Sequence, residues 1–114
     1  MELNIFMDKL LTSPEKIGFA DTMAVVDANY HFTETAFQNG EMNNQQGENS
    51  GSCKLFSFAK LQGLSEQQTL ACFGEYYRND VLASPDGTDH QNIRNFIKTG
   101  WQGIRFEVMP LKAR

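Results

Sequence analysis

The chain is short of concentrated positive charge. Its ten Lys and Arg are scattered among fourteen Asp and Glu for a net charge of −4, and no two basic residues are adjacent. A nucleic-acid binder carries a basic footprint and a membrane-surface helix carries a basic face, so neither partner is expected. No apolar run approaches the roughly 18 residues of a membrane-spanning helix. The opening Met1-Glu2-Leu3-Asn4 lacks the basic residues and long apolar stretch of a secretory leader. The two cysteines, Cys53 and Cys72, have neither metal-binding nor redox spacing, and a reduced state is expected. Also missing are a phosphate-binding glycine loop, a Gly-x-Ser-x-Gly elbow, a His-Glu-x-x-His helix and a calcium-loop pattern. No metal or cofactor is therefore expected.

What is present fits one domain over residues 1–114. Nine Phe, three Tyr and Trp101 supply bulk for a single core. The most distinctive stretch runs from Gln38 to Ser52, where Met42 is the only apolar side chain. A segment this polar builds no core. It is expected to be a solvated loop, folded over a site and delivering Cys53 to the next element.

Periodicity predicts a helix-rich α+β domain. Leu3, Phe6, Met7, Leu10 and Leu11 form an amphipathic stripe over residues 2–12. A second helix is read from Thr22 to Tyr30, and His31–Phe37 reads as a strand. Cys53–Leu61 reads as helix, ended by Gly63. Ser65-Glu66-Gln67-Gln68 is a capping box opening a helix that carries Leu70, Phe73, Tyr77 and Val81. Thr88-Asp89-His90-Gln91 reads as a second capping box before Ile93, Phe96 and Ile97. Residues 104–109 alternate as a strand with Ile104, Phe106 and Val108 inward, ending at Pro110. The sheet then contains at least the strands near 31–37 and 104–109.

Chemistry-bearing residues cluster by inference around the polar loop. Cys53, in the first turn of a helix, would have its thiol pKa lowered by free amides and the helix dipole. With His90 as base it forms a candidate catalytic pair for a hydrolase or transferase, Asp89 or Asn92 serving as orienter. The bland alternative makes Cys53 a small buried hydrophobe and His90 a solvated residue at a helix start. Asp27 falls in the stripe Met23-Val26-Asp27-Tyr30, so burial is expected to demand a partner. Asn29, Glu34, Asn49, Asp89 and Asn92 join Asp27 as candidate ligand-binding residues, against the commoner role of such groups as structural hydrogen-bond anchors. The expected site is a cleft where the 38–53 loop meets the Thr88 helix start and the Asp27 face. Two helix starts there would suit a polar or anionic small molecule. A protein-interaction module presenting Tyr76 is the third reading.

Several strings in fixed order carry a family resemblance. They are Phe19-Ala20-Asp21-Thr22-Met23-Ala24-Val25-Val26-Asp27-Ala28-Asn29-Tyr30, Gly51-Ser52-Cys53-Lys54, Leu70-Ala71-Cys72-Phe73-Gly74-Glu75-Tyr76-Tyr77-Arg78, Gly87-Thr88-Asp89-His90-Gln91-Asn92-Ile93-Arg94 and Gly100-Trp101. Over about residues 3–107 the chain resembles the HopJ type III effector family. The resemblance implies a small, soluble bacterial protein of the bacterial cytoplasm or of type III secretion into host cells. A host protein then joins the small molecule as an expected partner. It implies no catalytic residues and no mechanism.

Overall fold

The computed structural model describes residues 1–114. Its helices are α1 (Leu3–Thr12), α2 (Phe19–Asn29), α3 (Ser50–Gln62), α4 (Glu66–Cys72) and α5 (Gln91–Thr99). A π-helical turn spans Tyr76–Val81, and short 3-10 turns follow α1 and α5. The strands β1 (Tyr30–Phe32), β2 (Phe37–Asn39), β3 (Met42–Asn44), β4 (Ile104–Phe106) and β5 (Leu111–Ala113) make two antiparallel sheets, β1-β5 and β3-β2-β4. The fold is α+β.

The predicted strands at 31–37 and 104–109 do run against each other, but with a gap. Phe32 pairs with Leu111 and Phe37 with Phe106, in one unbroken register. Between them the backbone bonds are Thr33 N–H to the Pro110 carbonyl (2.8 Å) and Glu107 N–H to the Ala36 carbonyl (3.0 Å), and Val108 N–H donates to Thr35 Oγ1 at 3.4 Å. Pro110 has no N–H to give, so the ladder lapses there and resumes as β5 instead of ending. Val108 falls in the gap and is exposed rather than inward-facing.

The polar stretch is less loop than expected. Asn39-Gly40-Glu41-Met42 turns the chain tightly, Gly40 taking φ +60°, and β3 pairs back on β2. Asn39 and Asn44 of this hairpin are wholly or almost wholly buried. Residues 50–52 are already the first turn of α3.

The core is aromatic. Phe56 of α3 is central, its ring 5.4 Å from Phe73, 5.0 Å from Phe96 and 6.3 Å from Phe37. Phe6 and Leu10 anchor α1, whereas Leu11 of the same predicted stripe is exposed. Ile97, expected inside, is also exposed.

The helix opened by Ser65 stops at Cys72 instead of running on to Val81. Gly74 takes φ +62°, and a Cβ there would sit 2.5 Å from the Phe19 nitrogen. That conformation and that close approach require glycine. They bring the start of α2 against the end of α4, so that Phe19 stacks on Phe73 at 6.2 Å.

Candidate functional site

Four of the helix starts can be compared directly. Ser65 Oγ accepts from Gln68 N–H at 3.1 Å, and Gln68 Oε1 accepts from Ser65 N–H at 3.0 Å, so α4 has the predicted capping box. At α2, Asp21 accepts from Gly18 N–H at 3.0 Å and Glu75 accepts from Phe19 N–H at 3.2 Å. At α3 and α5 no side chain caps the helix. Their N-cap residues, Asn49 (φ 52°) and His90 (φ 50°), are the only non-glycine residues in the left-handed region. Such a conformation costs on the order of 1 kcal/mol and persists only where the surroundings hold it. The amides of Ser50, Gly51 and Ser52 in α3, and of Gln91 and Asn92 in α5, have no backbone partner. The expected Thr88 cap is absent because the helix begins three residues later. Gln91 Nε2 donates to the Thr88 carbonyl at 2.6 Å instead.

These two open starts face one cleft of about 390 Å³. Asn49, Gly51 and Ser52 form one wall and His90, Gln91 and Asn92 another. Phe19, Phe73 and Tyr76 supply an aromatic side, with Met42 and Ile93 completing it. The Tyr76 ring lies 5.1 Å from Phe19 and stacks on His90 at 5.1 Å. The cleft thus combines unpaired N–H donors, partial positive charge from two helix ends, and aromatic surface.

Beneath it, buried carboxamides lock the walls together. Asn39 Nδ2 donates to the Asn92 carbonyl (2.7 Å) and to Asn92 Oδ1 (3.0 Å). Asn92 Nδ2 donates to Asn44 Oδ1 (3.1 Å), which also accepts from Asn49 Nδ2 (2.7 Å). Asn44 Nδ2 returns a bond to Asn92 Oδ1 at 3.2 Å. This cluster ties the β2-β3 hairpin to both helix starts. Its one buried side-chain polar atom without a partner is Asn39 Oδ1.

The structure brings together some of the sequence candidates and scatters others. Asn49, His90 and Asn92 line the cleft. Asp89 does not line it; its carboxylate accepts from Arg94 Nη2 at 2.6 Å. That bond, foremost, holds the Asp89 carboxyl below its ordinary range, and the charge of His90 adds in the same direction. Asp27 is not buried: it is exposed and paired with Lys54 at 2.9 Å, because the buried face of α2 is Thr22, Val25 and Val26. Asn29 closes the end of α2, donating to the Val25 carbonyl at 2.8 Å, away from the cleft. Glu34 is exposed in the gap between β1 and β2, beside Gly47.

Cys53 is the sharpest correction. It does sit in the first turn of α3, but it faces the core at 1 % exposure. Burial pushes its pKa from 9.0 up to about 11, against a smaller lowering influence from the Thr35 backbone. Desolvation of the thiolate outweighs the helix dipole. His90 turns elsewhere, its Nε2 2.9 Å from Asp80 Oδ2, and no Cys53–His90 hydrogen bond forms. Cys72 is likewise a core group, pushed up to about 12 by burial.

Sequence reasoning missed Asp80 and Phe19, and it left Asn39 and Asn44 in a solvated polar loop, whereas both are buried. Asn39-Gly40 is a tight-turn dipeptide and could have disclosed the hairpin. Nothing local marks Asp80, which reaches His90 only through the π-helical turn.

Fold and site together define a small helix-rich α+β domain with one aromatic-walled cleft between two uncapped helix starts. The chain belongs to the family described as "HopJ type III effector protein", whose model matches residues 3–111. It is similar over its whole length, at 56% identity and a TM-score of 0.98, to the crystal structure of VPA0580, a protein of unknown function, of which 95% is covered. No curated protein matches the chain. No helix is long and apolar enough to cross a membrane.

Proposed function

We propose that the domain binds a small polar anion in the cleft between the starts of α3 and α5. The observation that carries this reading is the pairing of two left-handed, uncapped N-cap residues, Asn49 and His90, on one cavity. Consecutive N–H groups that follow a left-handed residue form a concave anion nest, and helix dipoles add to it. The aromatic side formed by Phe19, Phe73 and Tyr76 suits a ligand with an apolar or ring portion beside its anionic group.

Sulfate is the simplest probe, since its charge does not change between pH 5 and 8. It is expected to shift the amide resonances of Gly51, Ser52, Gln91 and Asn92 together, and to raise the thermal midpoint over chloride at equal ionic strength. At a hundred times its dissociation constant a ligand adds about 2.7 kcal/mol. Gln91→Asp, which places a carboxylate at the first position of α5, is expected to erase the response while leaving the helix intact. Unmoved amides at high sulfate would remove the proposal.

A second reading rests on a separate groove of about 500 Å³ between α1, α4 and the π-helical turn. Leu11 and Leu82 are exposed along it, which suits a protein partner such as a host protein. For the place of action, the family description supports delivery by type III secretion, the bacterial cytoplasm being the alternative. A reporter fusion assayed in secretion-competent and secretion-defective cells separates the two.

A further inference from the structure

His90 is bound from two elements at once. It begins α5, yet its Nε2 reaches Asp80 of the π-helical turn at 2.9 Å and its ring stacks on Tyr76 of that turn at 5.1 Å and 28°. Asp89, beside it in sequence, is the second carboxylate in range, at 3.8 Å. The other walls of the cleft, Phe19 of α2, Met42 of β3 and Asn49, Gly51 and Ser52 at α3, present no titratable group to it.

The loop between these two elements is held by a different cation. Arg94 donates to the carbonyls of Ser84 (2.7 Å), Pro85 (3.2 Å) and Asp89 (2.6 Å) and to the Asp89 carboxylate (2.6 Å). A guanidinium keeps its charge at every physiological pH, so this half of the connection does not change. An imidazole changes charge between pH 5 and 8, so the other half does.

We propose that His90 is a proton-dependent clasp joining the π-helical turn to the start of α5, and so sets the position of the Tyr76 wall of the cleft. When the imidazole is protonated, its bond to Asp80 is charge-assisted, and the cation lies over the Tyr76 ring. When it is neutral, the Asp80 bond is an ordinary one and the attraction of Asp89 is gone. A charge-assisted bond is stronger than a neutral one, so the clasp is tighter with the imidazole protonated than with it neutral. Its effect on ligand capture rests on the cleft being a binding site; the clasp itself does not.

The test needs no ligand. Amide resonances of Tyr76–Val81 and of Gln91 are followed from pH 5.5 to 8 in the full chain, with thermal midpoints at both ends. Both segments are expected to titrate with the His90 ring. The midpoint at pH 5.5 should exceed that at pH 8 by about 2–4 °C more in the wild type than in Asp80→Asn. His90→Asn, which tolerates the left-handed backbone, should abolish the same difference. The variants also subtract any contribution from His31, the other imidazole, whose Nδ1 lies 3.2 Å from Arg114 Nη1. A His90 ring that titrates while Tyr76–Val81 stays still, or an Asp80→Asn variant with wild-type pH dependence, overturns the clasp. Sulfate that fails to bind at either pH overturns the anion reading and leaves this outcome to stand on its own.

Discussion

The starts of α2 and α4 are closed by their own neighbourhood, whereas those of α3 and α5 are open. Asp21 and Glu75 serve the first amides of α2, and Ser65 and Gln68 serve those of α4. Asn49 and His90 occupy the same positions at α3 and α5, yet spend their side chains on Asn44 and Asp80. An ordinary Ser or Asp at those sites would satisfy the amides and avoid the left-handed conformation. Stability alone does not account for the difference. With two caps absent at one cavity and the strained residues held in place from behind, the donors there stay free, as the proposed anion site requires.

The contrast can be broken at its support. Asn92→Ala removes the residue that joins Asn39, Asn44 and the start of α5, leaving buried amide groups short of partners. A loss of about 2–4 kcal/mol is expected in chemical denaturation, with the cleft amides shifting as a group. A loss below 0.5 kcal/mol would mean that the carboxamides are not what holds the open starts.

The contrast can be sharpened one layer down, at Cys53. Here a helix start and burial oppose each other, and burial wins. At pH 8 a thiol at about 11 rather than 9.0 is ionised roughly a hundredfold less, so alkylation should be at least that much slower in the folded protein than in denaturant. The sign for stability follows. Because the folded pKa is raised, the buried thiol's contribution is complete below the ordinary thiol range. It is lost as pH climbs through that range toward about 11 for Cys53 and about 12 for Cys72. Rapid native-state labelling of Cys53 with a rate constant that follows an ordinary thiol pKa would reverse this account.

The smallest effect compares two serines directly. Ser65→Ala, at a closed start, should cost about 1 kcal/mol by loss of the cap. Ser52→Ala, at an open start, should change stability by less than about 0.5 kcal/mol and instead alter the response to sulfate. Equal costs for the two would show that the distinction between open and closed starts has no energetic content.

Several elements were readable before the fold was known because their causes are local. The α1 helix, the Ser65 capping box and the Gly63 helix end depend on residues a turn apart, and each appears where expected, although Leu11 of the α1 stripe faces outward. Extended structure near 31–37 and 104–109 was also legible, the first from its Thr and Phe content and the second from its alternation, neither of which needs a distant partner. The break in their pairing was not, because it depends on which residue stands opposite Pro110. Asp27 was misplaced for a similar reason. Its stripe on α2 is apolar enough to look buried, but which edge of a helix meets the core is settled by neighbours such as Phe19 packing on Phe73.

By itself the sequence determined the helix-rich α+β class, the aromatic character of the core and the poverty of basic surface, because these follow from short-range periodicity and composition. Only the tertiary structure decided that Cys53 turns inward, that Asn39, Asn44 and Asn92 meet beneath two helix starts, and that His90 reaches Asp80. Those outcomes depend on contacts between residues about ten to more than fifty positions apart, and on the cost of leaving a buried polar group unpaired, which no local pattern encodes.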